Sequence, residues 1–378
     1  MSSVEIGVWG GVGGYGYYPP KGHEAEVVEF VRKLKKFGVS KFFPTLMRWE
    51  DFCLTHVGAV CSGSALPWPA ILADYYAESH PLRTLVTVCH DHGIEVHPYL
   101  AYMNHGSQWP NWESKTGEQF PYVGTTRFSL HHQEMFARSR DGRTSFEIRG
   151  WVDLSPCFPE ARQYEIEALV CWAEEFNLDG IQLEFLNPPV DANGVSVFGY
   201  EAPSIREFET KTGRPIDDVP NDDPEWIAHR AGYTTLFLRE LKSALDTSRN
   251  PVPLSVSVIA AGPEECWKRL LDWPTWIDES LVDGLYYWHR TADLELIKEE
   301  LARAAQICAG KCRLIAELSC YTGSAKAGVL DTPELLGQAA RACLACGIGG
   351  VGVYRADSIE KNGLWSAIGR FHALVETR

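Results

Sequence analysis

The chain has 378 residues, 50 acidic and 35 basic, for a formal net charge of −15, and it is 45% hydrophobic and 12% aromatic. That much apolar and aromatic surface offsets the entropy of ordering and excludes a disordered chain, while an acidic excess without any run of Lys or Arg excludes a nucleic-acid binder. No stretch approaches the roughly 18 consecutive apolar residues of a membrane span, and the start MSSVEIGVWGG lacks a basic segment followed by an apolar one, so a soluble, cytoplasmic protein acting on a small molecule is expected.

Short apolar runs rich in β-branched and aromatic residues alternate with longer segments of helical periodicity. The first strand is predicted over Val4 to Trp9, and a helix over Glu24 to Phe37 with Val27, Phe30, Val31 and Leu34 on its buried face. The second strand is Lys41 to Met47, followed after a long loop by a helix near Pro81 to His92 and a third strand, IEVHPYLAY. Residues 103–150 show little periodicity and read as an extended loop, and long ordered loops are usually functional. A helix from Pro159 to Phe176 with Ile166, Leu169, Val170 and Ala173 inward leads to the fourth strand, GIQLEF, and a second excursion, 187–223, reads as an insertion. Then come the helix Trp226 to Leu245, strand five PLSVSVI, strand six GLYYW, the helix Asp293 to Ala309, strand seven RLIAEL, a helix opening at Thr332-Pro333, strand eight VGVYR and a closing helix ending near Glu376. Eight strand-then-helix units over residues 1–378 predict an α/β fold, one (β/α)₈ TIM barrel with long loops after strands two, three and four.

Two features compete with that reading. The glycines of WGGVGGYG miss the G-x-G-x-x-G spacing and read as a loop over a pocket instead of a nucleotide fingerprint. The 11 cysteines, an odd number, sit in core-like segments such as those holding Cys89, Cys171 and Cys308, which reads as reduced buried thiols; Cys343 and Cys346 close a helix before Gly347. Cys89-His90-Asp91-His92 and His131-His132 hold ligand types without a strong zinc spacing, so neither metal nor cofactor is expected.

In such a barrel the working residues sit at the carboxyl ends of strands. Strand four closes on Glu184 and strand seven on Glu317, and a carboxylate ending an apolar run is costly unless paired, solvated or neutral. Cleaving an acetal needs a proton donor and a second carboxylate, so this pair predicts glycoside hydrolysis, of the retaining type if the carboxyls stand about 5–5.5 Å apart. Glu184 is then the first choice for acid/base and Glu317 for nucleophile, with the reverse order open. The bland alternative is an ion network with Arg48, Arg290 or Arg355. Trp9, Trp49 and Trp288 near strand ends, and Trp109 and Trp112 in the third loop, suggest rings that stack on sugars. His97, Tyr99, Tyr102 and Asn104 around strand three, with His289, Tyr354 and Arg355, complete the candidate substrate-binding set. His97 and Tyr99 share one side of their strand. Asp179 and Asp283 precede their strands and read as turn residues.

The segment LSPCFPEARQYEIEALVCWAEEFNLDGIQLEFLNPP resembles the strand-helix-strand of the family 10 glycosyl hydrolase-like proteins, in which a pattern close to L-x-P-x-x-P-E-V-R precedes D-G-I-H-x-D-Y. FGYEAPSIREFETKTG, PEWIAHRAGYTTLFLREL, WPTWIDESLVDGLYYW and TPELLGQAARACLACGIGGVGVYR follow in the same order, with PLRTLVTVCHDHGIEVHPYLAY upstream. The resemblance implies a (β/α)₈ barrel, action on a carbohydrate, and a catalytic acid closing strand four, which falls on Glu184. This chain has Glu where the family has Asp, Gln182 where it has His, and an acid, Glu317, that relatives commonly lack. Two other functions remain at this stage: a metal-dependent sugar isomerase or epimerase using Glu184, Glu317 and a histidine, and a carbohydrate-binding barrel without chemistry. Oligomeric state is not legible.

Overall fold

A computed structural model describes residues 4–12, 24–45, 52–56, 81–113, 119–185, 188–321 and 328–376. Its strands are β1 (Glu5–Gly10), β2 (Lys41–Pro44), β3 (Phe52–His56), β4 (Glu95–Val96), β5 (Tyr99–Ala101), β6 (Asn104–Glu113), β7 (Gln119–Thr126), β8 (Trp151–Asp153), β9 (Ile181–Glu184), β10 (Leu254–Ile259), β11 (Gly284–His289), β12 (Arg313–Ser319) and β13 (Gly350–Tyr354). Nine of them form one sheet in the order β4-β2-β1-β13-β12-β11-β10-β9-β5, with neighbouring strands parallel throughout.

The two ends of that sheet are one strand interrupted at His97-Pro98. Glu95 pairs with Lys41 on β2, Tyr99 pairs with Gln182 on β9, and Thr45 bridges Tyr99. Proline withholds an amide there, and the ladder resumes on the other neighbour. Counting β4 and β5 as one gives eight parallel strands closed on themselves, the predicted TIM-like barrel.

Burial on both faces explains why the strands read as continuous apolar runs. Outward residues such as Ile6, Val8, Val256, Leu285 and Val351 pack under the helices, including Glu24–Lys36, where Val27, Phe30, Val31 and Leu34 are buried as expected. Inward residues form a separate cluster of Trp9, Phe43, Tyr99, Tyr286 and Ile315. The Trp9 ring stacks on Phe43 at 4.2 Å, meets Tyr286 edge-on at 5.5 Å, and donates its N–H to Gln182 Oε1 at 2.5 Å. Space for it comes from two glycines: a Cβ at Gly352 would lie 2.1 Å from the indole, and one at Gly7 would lie 2.9 Å from Phe43. Below this plug, Glu5 holds Lys41 at 3.0 Å, Arg313 at 3.2 Å and the Tyr286 hydroxyl. Asp179 and Asp283 act as the expected turn residues, accepting from the amides of Val96 and Leu254.

Several expectations need correction. The stretch 103–150 is more than a loop: β6 and β7 form an antiparallel pair flanked by β3 and β8, a second four-stranded sheet, and short helices cover Arg127–His131 and Ser145–Arg149. A register shift in β6 between Trp109 and Trp112 breaks the alternation that marks a strand. On the helix Pro159–Phe176 the buried face is Ala161, Arg162, Glu165, Leu169, Trp172, Ala173 and Phe176; Ile166 and Val170 are only partly buried. Its first turns face polar partners: Arg162 pairs with Glu240 at 2.7 Å, and Glu165 with His105 at 3.5 Å. Cys171 is exposed, unlike Cys89 and Cys308. The excursion 187–223 carries a helix, Ala202–Thr212. No helix among the described residues is long and apolar enough to cross a membrane.

Replacing Gly352 with Ala is expected to lower unfolding free energy by about 1–3 kcal/mol, because the indole has no room to retreat. Gly337→Ala, on a helix where a Cβ would meet nothing within 4 Å, serves as control and is expected to be neutral or stabilising. Equal denaturation midpoints for the two variants would contradict the plug.

Candidate active site

Above the Trp9 plug, alternation turns Glu184, Ser257, Trp288, Glu317 and Tyr354 to the inside at the carboxyl end of the barrel. Glu184 lies beside Ser257 in register, and Trp288 lies beside Glu317. The Ser257 hydroxyl donates to Glu317 Oε2 at 2.6 Å. Ser257 therefore neighbours one glutamate through the backbone ladder and touches the other through its side chain, so the two carboxylates share one region across three strand intervals.

Their surroundings push both toward the neutral form. Burial raises the Glu184 carboxyl to about 7, against a smaller opposing pull from the Arg355 guanidinium. Burial also raises Glu317 well above the usual carboxylate range; Ser257 opposes this, and the charge of Glu184 adds to it. Each of the two is harder to ionise than an ordinary carboxyl, and a negative Glu184 makes a negative Glu317 harder still. Arg355 gives its guanidinium to Asp357, at 2.8 and 2.7 Å, and lies 5.1 Å over the Tyr321 ring. Among the described residues no ion pair holds either glutamate. The ion-network alternative therefore loses Arg355 as an ion-pair partner, and Arg48 lies outside the described residues.

The remaining candidates divide by depth. Tyr99 and Tyr354 belong to this mouth: burial and the charge of Glu184 raise both phenols, and Thr45 donates to the Tyr99 oxygen at 2.9 Å. Trp288 meets Tyr354 edge-on at 5.8 Å, and its indole N–H has no acceptor among the described residues, which leaves a donor for a ligand oxygen. Trp9 is a plug inside the barrel and not a ring on its rim. His97, predicted near the mouth, is buried at the lower end with Nε2 3.0 Å from exposed Glu95. Burial lowers its pKa although Glu95 opposes.

His289 faces the other side of its strand against Tyr287 and is held near pKa 3 by burial. Tyr102 packs outside the barrel wall on Phe185 and Phe237, and Asn104 donates to Asp153 at 2.8 Å in the second sheet. Trp49 lies outside the described residues, as do the side chains of Trp109 and Trp112. Of the histidines weighed as ligands, His90 binds Asp179 and His92 a backbone carbonyl. Ser257 is the residue that sequence reasoning missed; its signal was the alternation of small polar and branched residues in PLSVSVI.

A carboxyl whose folded pKa is raised contributes stability below its unfolded pKa and loses that contribution as pH rises through the folded value. Glu184→Gln is therefore expected to gain on wild type as pH rises from about 4.5 to about 7, by about 1–2 kcal/mol after solvent screening. Urea midpoints across that window check it; parallel curves would contradict the burial of this carboxyl.

Comparison with known proteins agrees with this architecture. The catalytic domain of β-amylase from Paenibacillus polymyxa superposes with a TM-score of 0.60 at 12% identity, over 99% of this chain and 98% of that one. A β-galactosidase from Marinomonas ef1 gives 0.55 at 12% identity, over 93% and 54%, and an α-galactosidase from Lactobacillus brevis 0.52 at 11%, over 100% and 40%. At such identities the likeness concerns the fold alone. The sequence pattern of the family described as glycosyl hydrolase-like 10 matches residues 64–326, more than half of the chain, and the protein belongs to that family.

Proposed function

We propose that the protein is a retaining glycoside hydrolase acting on an oligosaccharide or glycoside through Glu184 and Glu317. The observation that supports it is the Ser257 hydrogen bond to Glu317 beside Glu184, with both carboxyls on inward-facing strand positions at one end of the barrel and both held toward the neutral form. Two such groups are expected to hold one proton between them near neutral pH, the state that acetal cleavage requires. Arg355 favours charge on Glu184, whereas burial and that charge favour the proton on Glu317. This favours the reverse of the order preferred from sequence. Glu184 attacks the anomeric carbon as the Glu317 proton passes to the departing oxygen; Glu317 then takes a proton from water, whose oxygen displaces Glu184. Tyr99, Tyr354 and the Trp288 N–H surround the ring. A proton-sharing pair also favours hydrolysis over the metal-dependent alternative, which needs both carboxylates ionised around a cation.

A panel of aryl glycosides and oligosaccharides tests this. Glu184→Gln and Glu317→Gln are each expected to lower kcat at least about 10²–10⁴-fold. Wild-type kcat/KM is expected to rise with pH up to about 7, as Glu184 ionises, and NMR of the first-formed product to show the anomer of the substrate. Activity surviving in both variants would remove the pair, and a rate that falls through pH 7 would restore Glu184 as the acid.

A further inference from the structure

Outside the barrel wall, between the two loop excursions and the helix Pro224–Asp246, lies a cavity of about 110 Å³ whose lining includes neither Glu184 nor Glu317. Its walls are largely apolar, with Phe185, Phe198 and Leu270 among them. Two buried acids line it, Asp153, which Asn104 and Arg149 hold, and Glu201. Glu201 is 1% exposed; its Oε1 accepts the Arg138 amide at 2.7 Å, and its Oε2 has no hydrogen-bonding partner among the described residues. Burial raises its pKa although the Arg138 amide and nearby Ser155 favour the carboxylate. On the same cavity, the buried Nε of Arg269 has no acceptor among the described residues. An unmatched buried acceptor and an unmatched buried donor each cost about 1–3 kcal/mol until a partner arrives.

Two non-glycine linings, Met103 at φ 53 and Leu270 at φ 67, have left-handed backbone, and such strain gathers at ligand clamps. The space is smaller than the roughly 150 Å³ that admits a benzene ring, so it takes a group smaller than a pyranose, and a sugar ring carrying that group would project from its mouth.

We propose that this cavity binds an acetamido group. Its N–H would go to Glu201 Oε2, its carbonyl would take the Arg269 N–H, and its methyl would lie on the apolar wall. No smaller common group supplies donor, acceptor and apolar body together. This requires nothing of the glutamate pair, so its failure and that of the hydrolase reading are separable.

The test uses the full chain carrying Glu184→Gln, so that turnover plays no part. Acetamide, N-acetylglucosamine and glucose are titrated as probes, with hydrogen-exchange mass spectrometry to locate binding. Acetamide and N-acetylglucosamine are expected to compete for one site, to protect peptides over 196–201 and 269–271 and not 313–319, and to bind at least tenfold more tightly than glucose. Adding Arg269→Met is expected to weaken them about tenfold, and Arg269→Lys to recover part of that. Equal binding of glucose, protection confined to 313–319, or no binding by either amide would overturn the proposal, and none of these readouts depends on a variant folding at residue 269.

Discussion

The hydrogen bond from Ser257 to Glu317 organises the mouth of this barrel, because it settles where a carboxyl that water cannot reach will point. Ser257 sits one strand from Glu184 and two from Glu317, and its hydroxyl spans the gap that the ladder leaves. Without that donor, Glu317 would be a buried carboxyl with nothing to orient it, at a cost of several kcal/mol. With it, Glu317 is fixed near a second acid whose charge it feels.

The rest of the interior supports this placement from below. Small residues at 7 and 352 admit the Trp9 indole, which fills the barrel's middle and binds Gln182. Beneath it, Glu5, Lys41 and Arg313 close the lower end with paired charge. A packed middle separates the two polar ends, so the carboxyls of the mouth lie over an apolar layer, where electrostatic interactions are stronger than in water.

The barrel was legible because strands buried on both faces and helices buried on one leave different periodicities, and closure follows from eight such units. Glu184 and Glu317 were legible because an acid at the end of an apolar run is costly. Depth was not. Alternation puts Trp9, His97 and Tyr99 inside but says nothing of which end they reach, so Trp9 and His97 were read as mouth residues when one is a plug and the other lies at the floor. The glycines at 7 and 352, paired in register, carried the missing signal for Trp9. The second sheet escaped because β3 joins it from about 50 residues upstream of β6, and because β6 shifts register partway. The helix Pro159–Phe176 misled because its buried face includes Arg162 and Glu165, which read as solvent-facing until their partners Glu240 and His105 are in place.

The proposed hydrolysis needs two carboxyls close enough to compete for one proton, and carbon-13 NMR titration of glutamate side-chain carboxyls, assigned by difference from the two Gln variants, tests that directly. The expected result is a Glu184 signal titrating near 7 and a Glu317 signal titrating above it, with the Glu317 signal moving down when Glu184 becomes Gln. Two signals that titrate independently in the ordinary carboxylate range, each indifferent to loss of the other, would contradict it.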